Sequence, residues 1–193
     1  MTLWFRVRRV QAVLAPALAA FALVLVVAHD QYVRLPSLLS PGGNPVFLLQ
    51  MTPLIITSTL SYSLAQGVRD IEGTAQRKVR FLDATLVIAL VAAAALVSLV
   101  TGTLAGSEEA TMAGRNTMFL AGLMLLARAV SEQAASALPV GWVFAVMLIG
   151  YRDFGRPWPW AVTLHPAGFL PTFGFCLLVL AAGLAAHTRT RRF

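Results

Sequence analysis

The chain has 193 residues, a mean hydropathy of +0.76 and only 12% charged residues. A soluble domain of this length would carry roughly twice that charge on its surface, so a soluble fold is excluded. The formal net charge of +7 does not point to nucleic acid, because the basic residues flank apolar blocks and do not gather on one polar face.

The apolar residues fall into blocks of about 17–25, the length that crosses ~30 Å of hydrocarbon as a helix. The fold class that follows is all-α, a polytopic membrane protein forming a single transmembrane domain over residues 1–193. A transmembrane β-barrel would alternate apolar and polar positions in segments of about 10, and that alternation is missing.

Residues 1–10, MTLWFRVRRV, place Leu3, Trp4, Val7 and Val10 on one helical face, with Arg6 and Arg9 towards another. They read either as an interfacial segment lying on anionic lipid or as flanking charge that sets topology. The first span is expected at 11–28 and is read as retained, although a basic start before an apolar core also suits a signal peptide. Residues 29–44 form a polar connection with Pro36, Pro41, Gly42 and Gly43, all turn formers.

The second span, expected at 45–67, is unusually polar. Gln50, Thr57 and Ser61 fall near one stripe and are candidates for lining a transport path. The competing reading has these groups bonded to their own backbone or to a neighbouring helix. Pro53 should bend or open this helix.

Between the second and third spans lies GVRDIEGTAQRKVRF, residues 67–81, the most densely charged stretch of the interior of the chain. The third span is expected at 81–105, with Asp83 in its first turn, where the helix dipole favours a carboxylate. Ser98, Gly102 and Gly106 recur every four residues, a spacing that lets helices approach closely. Residues 106–115 read as a loop carrying Glu108 and Glu109. The fourth and fifth spans are expected at 116–130 and 134–151, joined by a tight turn at which Arg128 and Glu132, four residues apart, can pair.

Residues 151–167 hold Trp158, Trp160, three prolines and His165, and read as an aromatic belt at the outer interface. His165 has no companion at ligand spacing, so no metal role is assigned to it. The sixth span is expected at 168–187 and contains Cys176, the single cysteine, read as a small buried hydrophobe.

With six spans and both termini cytoplasmic, 11 of the basic residues lie inside and 4 outside, which agrees with the bias of Lys and Arg to the cytoplasmic face. The location expected is the plasma (inner) membrane. The sequence contains no G-x-x-x-x-G-K-[ST] loop and no H-E-x-x-H, and its serines have no believable catalytic companions. The chain itself is therefore not read as an enzyme, and no cofactor is assigned to it.

The run Arg69, Asp70, Glu72, Gly73 and Thr74, followed by Arg77 to Arg80 and the third span, resembles the region after the second span in membrane subunits of type-2 ABC exporters. The six-span layout, the basic N-terminal segment and the structured connection before the last span resemble that family as well. The Pro-x-Ser-Arg-like stretch that often follows in the family is missing here. The resemblance implies a permease subunit that moves a hydrophobic or amphiphilic substrate, such as a lipid, drug or peptide. ATP and Mg would be held by a separate ABC ATPase, and a second permease chain, identical or not, would complete the path. Residues 68–80 would form the ATPase coupling segment, with Arg69, Asp70, Glu72, Gly73, Thr74 and Arg77 as its site residues. A different class of function, a membrane assembly or anchoring subunit with no transport path, is the alternative.

Overall fold

The computed structural model describes residues 10–28, 31–35, 44–66, 76–152 and 156–189. Six α-helices carry the architecture: α1 (Ala15–Val27), α2 (Pro53–Ala65), α3 (Gln76–Ala105), α4 (Glu108–Val130), α5 (Glu132–Ile149) and α6 (Leu170–Arg189). Two four-residue strands, β1 (Tyr32–Leu35) and β2 (Asn44–Phe47), pair antiparallel between α1 and α2. Among the described residues three stretches, Arg80–Ala105, Glu132–Ile149 and Leu170–Arg189, are long and apolar enough to cross a membrane, and the chain reads as membrane-embedded on that ground.

Local chemistry sets the helix ends. One π-helical turn, Val10–Leu14, leads into α1, whose first turn contains Pro16; proline has no N–H to donate, and at a helix start none is needed. The second apolar block does not form one long helix. Its first part is β2 and a 3-10 turn at Leu48–Gln50, and α2 starts only at Pro53. Pro53 therefore initiates a helix instead of bending one. The 13 residues of α2 span roughly 20 Å, short of a bilayer's hydrocarbon.

The α3–α4 junction departs from the expected loop over 106–115. Gly106 adopts φ +63°, the left-handed conformation that glycine takes without penalty, and the Ser107 N–H reaches back to the Gly102 carbonyl at 3.0 Å. Ser107 then caps α4, its hydroxyl accepting from the Ala110 N–H at 3.3 Å, with Glu108 and Glu109 in the dipole-favoured first turn. The connection is two residues long, and the rest of the expected loop, from Glu108 to Arg115, is helix.

Ser131 alone joins α4 to α5. Its N–H bonds the Ala127 carbonyl at 3.0 Å, while its hydroxyl accepts from the Ala134 N–H at 3.0 Å. The expected tight turn is present, and Pro139 falls within α5.

α4 is the central helix. It packs against α2, α3, α5 and α6, and it is buried along most of its length from Ala110 to Arg128. Small residues permit this. A Cβ on Gly114 would sit 2.8 Å from Ala95 Cα and 3.0 Å from Ser98 Cβ on α3. On the other side, a Cβ on Gly122 would lie 2.7 Å from the Val179 carbonyl oxygen, and one on Gly183 would lie 2.6 Å from the Gly122 oxygen. Backbones in near contact maximise dispersion where lipid offers no hydrophobic drive between helices. The stripe read in the third block thus packs on α4 through Ser98 and Gly102, whereas Gly106 serves the turn.

The main core cluster gathers Phe21 and Leu25 of α1, Ile56, Leu60 and Leu64 of α2, Val87 and Val91 of α3, and Met124 and Leu125 of α4. Cys176 is fully buried in a second cluster with Phe119 and Val143, as a small hydrophobe would be. In contrast, α6 buries only Thr172, Cys176 and Gly183 and leaves Leu170 and Leu178 exposed at 79% and 69%.

Candidate functional site

The polar chemistry collects at the two ends of α4, called here the Ser107 end and the Ser131 end after the turns beside them. At the Ser107 end Arg115 is 5% exposed, not in the external loop expected for it. Its Nη1 donates to the Pro166 carbonyl at 2.8 Å and its Nη2 to the His165 carbonyl at 2.6 Å. The neighbouring Asn116 Nδ2 donates to the Thr163 carbonyl at 2.9 Å. Glu108 completes the arrangement, accepting from the Ala167 N–H at 3.1 Å.

Three side chains of one helix therefore hold residues 162–167, a segment with few regular backbone bonds of its own. The reason is physical: an irregular, buried backbone leaves carbonyls without donors, and a guanidinium offers five. The ring of His165 stacks on Phe169 at 5.5 Å, and its carbonyl is the group that α4 uses.

The aromatic segment folds onto this end. Tyr151 bridges to Pro157, and the Trp158 N–H bonds the Gly150 carbonyl at 2.9 Å. Trp160 meets Trp142 edge-on at 5.9 Å, Trp142 meets Phe119 at 5.0 Å, and Arg152 lies 4.9 Å above the Trp158 ring. Ala161, Val162, Thr163 and Leu164 are buried.

Gln50, a candidate for the transport path, sits in the 3-10 turn before α2. It lines a small recess with Leu49, Glu109, Met112 and Asn116 and hydrogen-bonds Tyr151. Tyr151 lies beyond the end of α5, where burial raises its phenol above the ordinary value and the Gln50 bond draws it part of the way back. The other two candidates lie within the bundle. Thr57 is 1% exposed, with its hydroxyl donating to the Pro53 carbonyl at 3.1 Å, and Ser61 is 7% exposed. Thr57 and Ser61 share the buried face of α2, while Gln50 stands apart from them at the Ser107 end.

At the Ser131 end Arg128 is 7% exposed in the last turn of α4 and donates through Nη2 to the Leu64 carbonyl at 2.7 Å, close to the C-terminus of α2. Helix C-termini present carbonyls without intrahelical partners, and a cation there also meets the negative end of the dipole. Asp83 on α3 is buried at 4% exposure. Arg80 Nη1 reaches the Thr188 carbonyl near the end of α6 at 3.4 Å.

Arg69, Asp70, Glu72, Gly73 and Thr74 lie outside the described residues, as do residues 1–9 of the interfacial segment expected over 1–10. Arg77 falls in the first turn of α3, where the backbone alone is described. Among the described residues no group of three or more His, Cys, Asp and Glu comes together at metal-binding separation.

No family model matches this chain, and no curated protein or solved structure matches it either. The functional reading therefore rests on the residues and their arrangement alone.

Sequence reasoning missed Arg115 and Asn116 as the residues that organise the Ser107 end. A signal for the helix that carries them was present: Gly106-Ser107-Glu108-Glu109 combines a helix stop, a helix cap and two dipole-favoured acids.

Proposed function

We propose that this chain is the transmembrane permease subunit of an ABC exporter in the plasma membrane, with six membrane-crossing segments and both termini cytoplasmic. It moves a hydrophobic or amphiphilic substrate using ATP hydrolysed, with Mg, by a separate ATPase subunit, and it works with a second permease chain.

One observation carries the reading: the charged stretch 67–75 leads directly into α3, whose 30 residues extend roughly 45 Å, well beyond the ~30 Å of hydrocarbon. A helix of that length continues past the membrane surface as a stiff lever, with Arg77, Lys78 and Arg80 on its first turns. The other end of the lever is locked against α4 by the Gly102 and Gly114 contacts. A charged segment on a rigid stem is what a soluble motor subunit needs in order to push on a membrane bundle. Basic residues at the Ser131 end also support the cytoplasmic orientation of this segment.

The second reading, an assembly or anchoring subunit, is favoured by Thr57, whose hydroxyl is bonded to its own helix backbone inside a packed bundle.

Reconstitution with the partner ATPase tests the proposal. Glu72→Ala and Arg69→Ala should each reduce substrate-stimulated ATP hydrolysis by roughly tenfold or more, as loss of 1.4 kcal/mol or more of coupling would. Full coupling in both variants contradicts the assignment. Aqueous thiol labelling of Thr57→Cys and Ser61→Cys separates the two readings, since labelling during turnover requires a wetted path.

A further inference from the structure

Asp83 and Arg128 are both buried, at 4% and 7% exposure, on the two helices of one antiparallel hairpin. The register of that hairpin is fixed at two levels. Gly102 faces Thr111 beside the turn, and Gly114 faces Ala95 and Ser98 further along. From Gly114 to Arg128, α4 descends roughly 21 Å, about four turns, so both residues lie on the same face. The same rise measured back along α3 from the Ala95–Ser98 level arrives at Asp83. Asp83 also heads the buried stripe that continues through Val87, Val91, Ala94 and Ser98.

We infer that Asp83 and Arg128 form a buried ion pair across α3 and α4. A carboxylate buried between packed helices calls for a cation, and the guanidinium fork can serve a carboxylate and the Leu64 carbonyl together. Arg128 then holds both stems of residues 67–75: the last turn of α2 through Leu64, and the first turns of α3 through Asp83. A displacement of the segment cannot be absorbed by one stem alone and is delivered to α4. The pair stands independently of the permease reading, whereas what it transmits rests on that reading.

The test uses the full chain in native membranes with Cys176→Ala. Asp83→Cys combined with Arg128→Cys removes both charges at once and leaves no lone buried charge. A short bis-maleimide should link the α3 and α4 peptides in this variant. It should leave Phe81→Cys with Arg128→Cys unlinked, since Phe81 is 72% exposed on another face. Absence of the 83–128 link, or equal linking in both variants, overturns the pair.

A double-mutant cycle in detergent gives the second readout. Asp83→Asn and Arg128→Met should each lower the melting midpoint by roughly 10 °C, and the double variant should recover more than half of either loss. Additive losses overturn the inference. A linked pair in a chain that shows no ATPase-dependent activity would leave the clamp in place and remove the permease reading.

Discussion

The two ends of α4 solve one problem with the same side chain in different settings. Each carries a buried arginine whose guanidinium donates to backbone carbonyls. At the Ser131 end Arg128 addresses a regular element, the C-terminus of α2. At the Ser107 end Arg115 addresses an irregular one, residues 162–166, with Asn116 and Glu108 assisting. A helix terminus concentrates its unpaired carbonyls in one place, and one cation there meets the dipole as well. Irregular backbone scatters its carbonyls, so several donors are required. The contrast explains why the most polar helix of the bundle is also its most buried.

The largest expected effect comes from prising α6 off the middle of α4, between the two ends. Gly122→Leu would drive α6 away from α4, since even a Cβ there falls 2.7 Å from the Val179 backbone. It should lower stability by about 3 kcal/mol, read as loss of the monodisperse peak and of the melting transition in detergent. Next is Arg115→Met, which leaves the carbonyls of His165 and Pro166 without their donor and should lower stability by about 2 kcal/mol. Its effect should be confined to the Ser107 end: a cysteine placed at Leu164, buried in the parent chain, becomes open to thiol labelling, while the α2–α4 contact at Leu64 is kept. The smallest is Glu108→Gln. Its oxygen accepts from the Ala167 N–H at an exposed site, and an amide oxygen still accepts, so stability should stay within roughly half a kcal/mol of the parent. Equal losses for the Arg115 and Glu108 variants would remove the distinction between buried and peripheral parts of this latch.

The helical character and the third, fifth and sixth apolar blocks were legible because lipid demands long uninterrupted apolar runs, and these leave an unmistakable pattern. The second block was less so. Its apolar content continues through Leu48 and Leu49, but the helix waits for Pro53. Hydropathy does not distinguish a strand and a 3-10 turn from two more turns of helix. Arg115 was read as external because its place in the chain resembles a loop. Its acceptors at positions 165 and 166 lie 50 and 51 residues away in sequence, and no local pattern announces a partner at that separation. The Arg128 connection was read locally, as a turn partner for Glu132; that reading did not anticipate that the guanidinium also reaches the Leu64 carbonyl, 64 residues back. Local signals specified where helices stop and start, and long-range hydrogen bonding decided which polar groups could be buried.

Co-purification of the tagged full chain from its native membrane tests the central claim most directly. The permease reading predicts a nucleotide-hydrolysing partner recovered in near-stoichiometric amount. Glu72→Lys should release that partner, while the melting midpoint of the membrane chain is unchanged. A chain that brings down no ATP-hydrolysing protein, or one whose Glu72→Lys and Arg69→Glu variants both retain the partner at the parent's level, would contradict it.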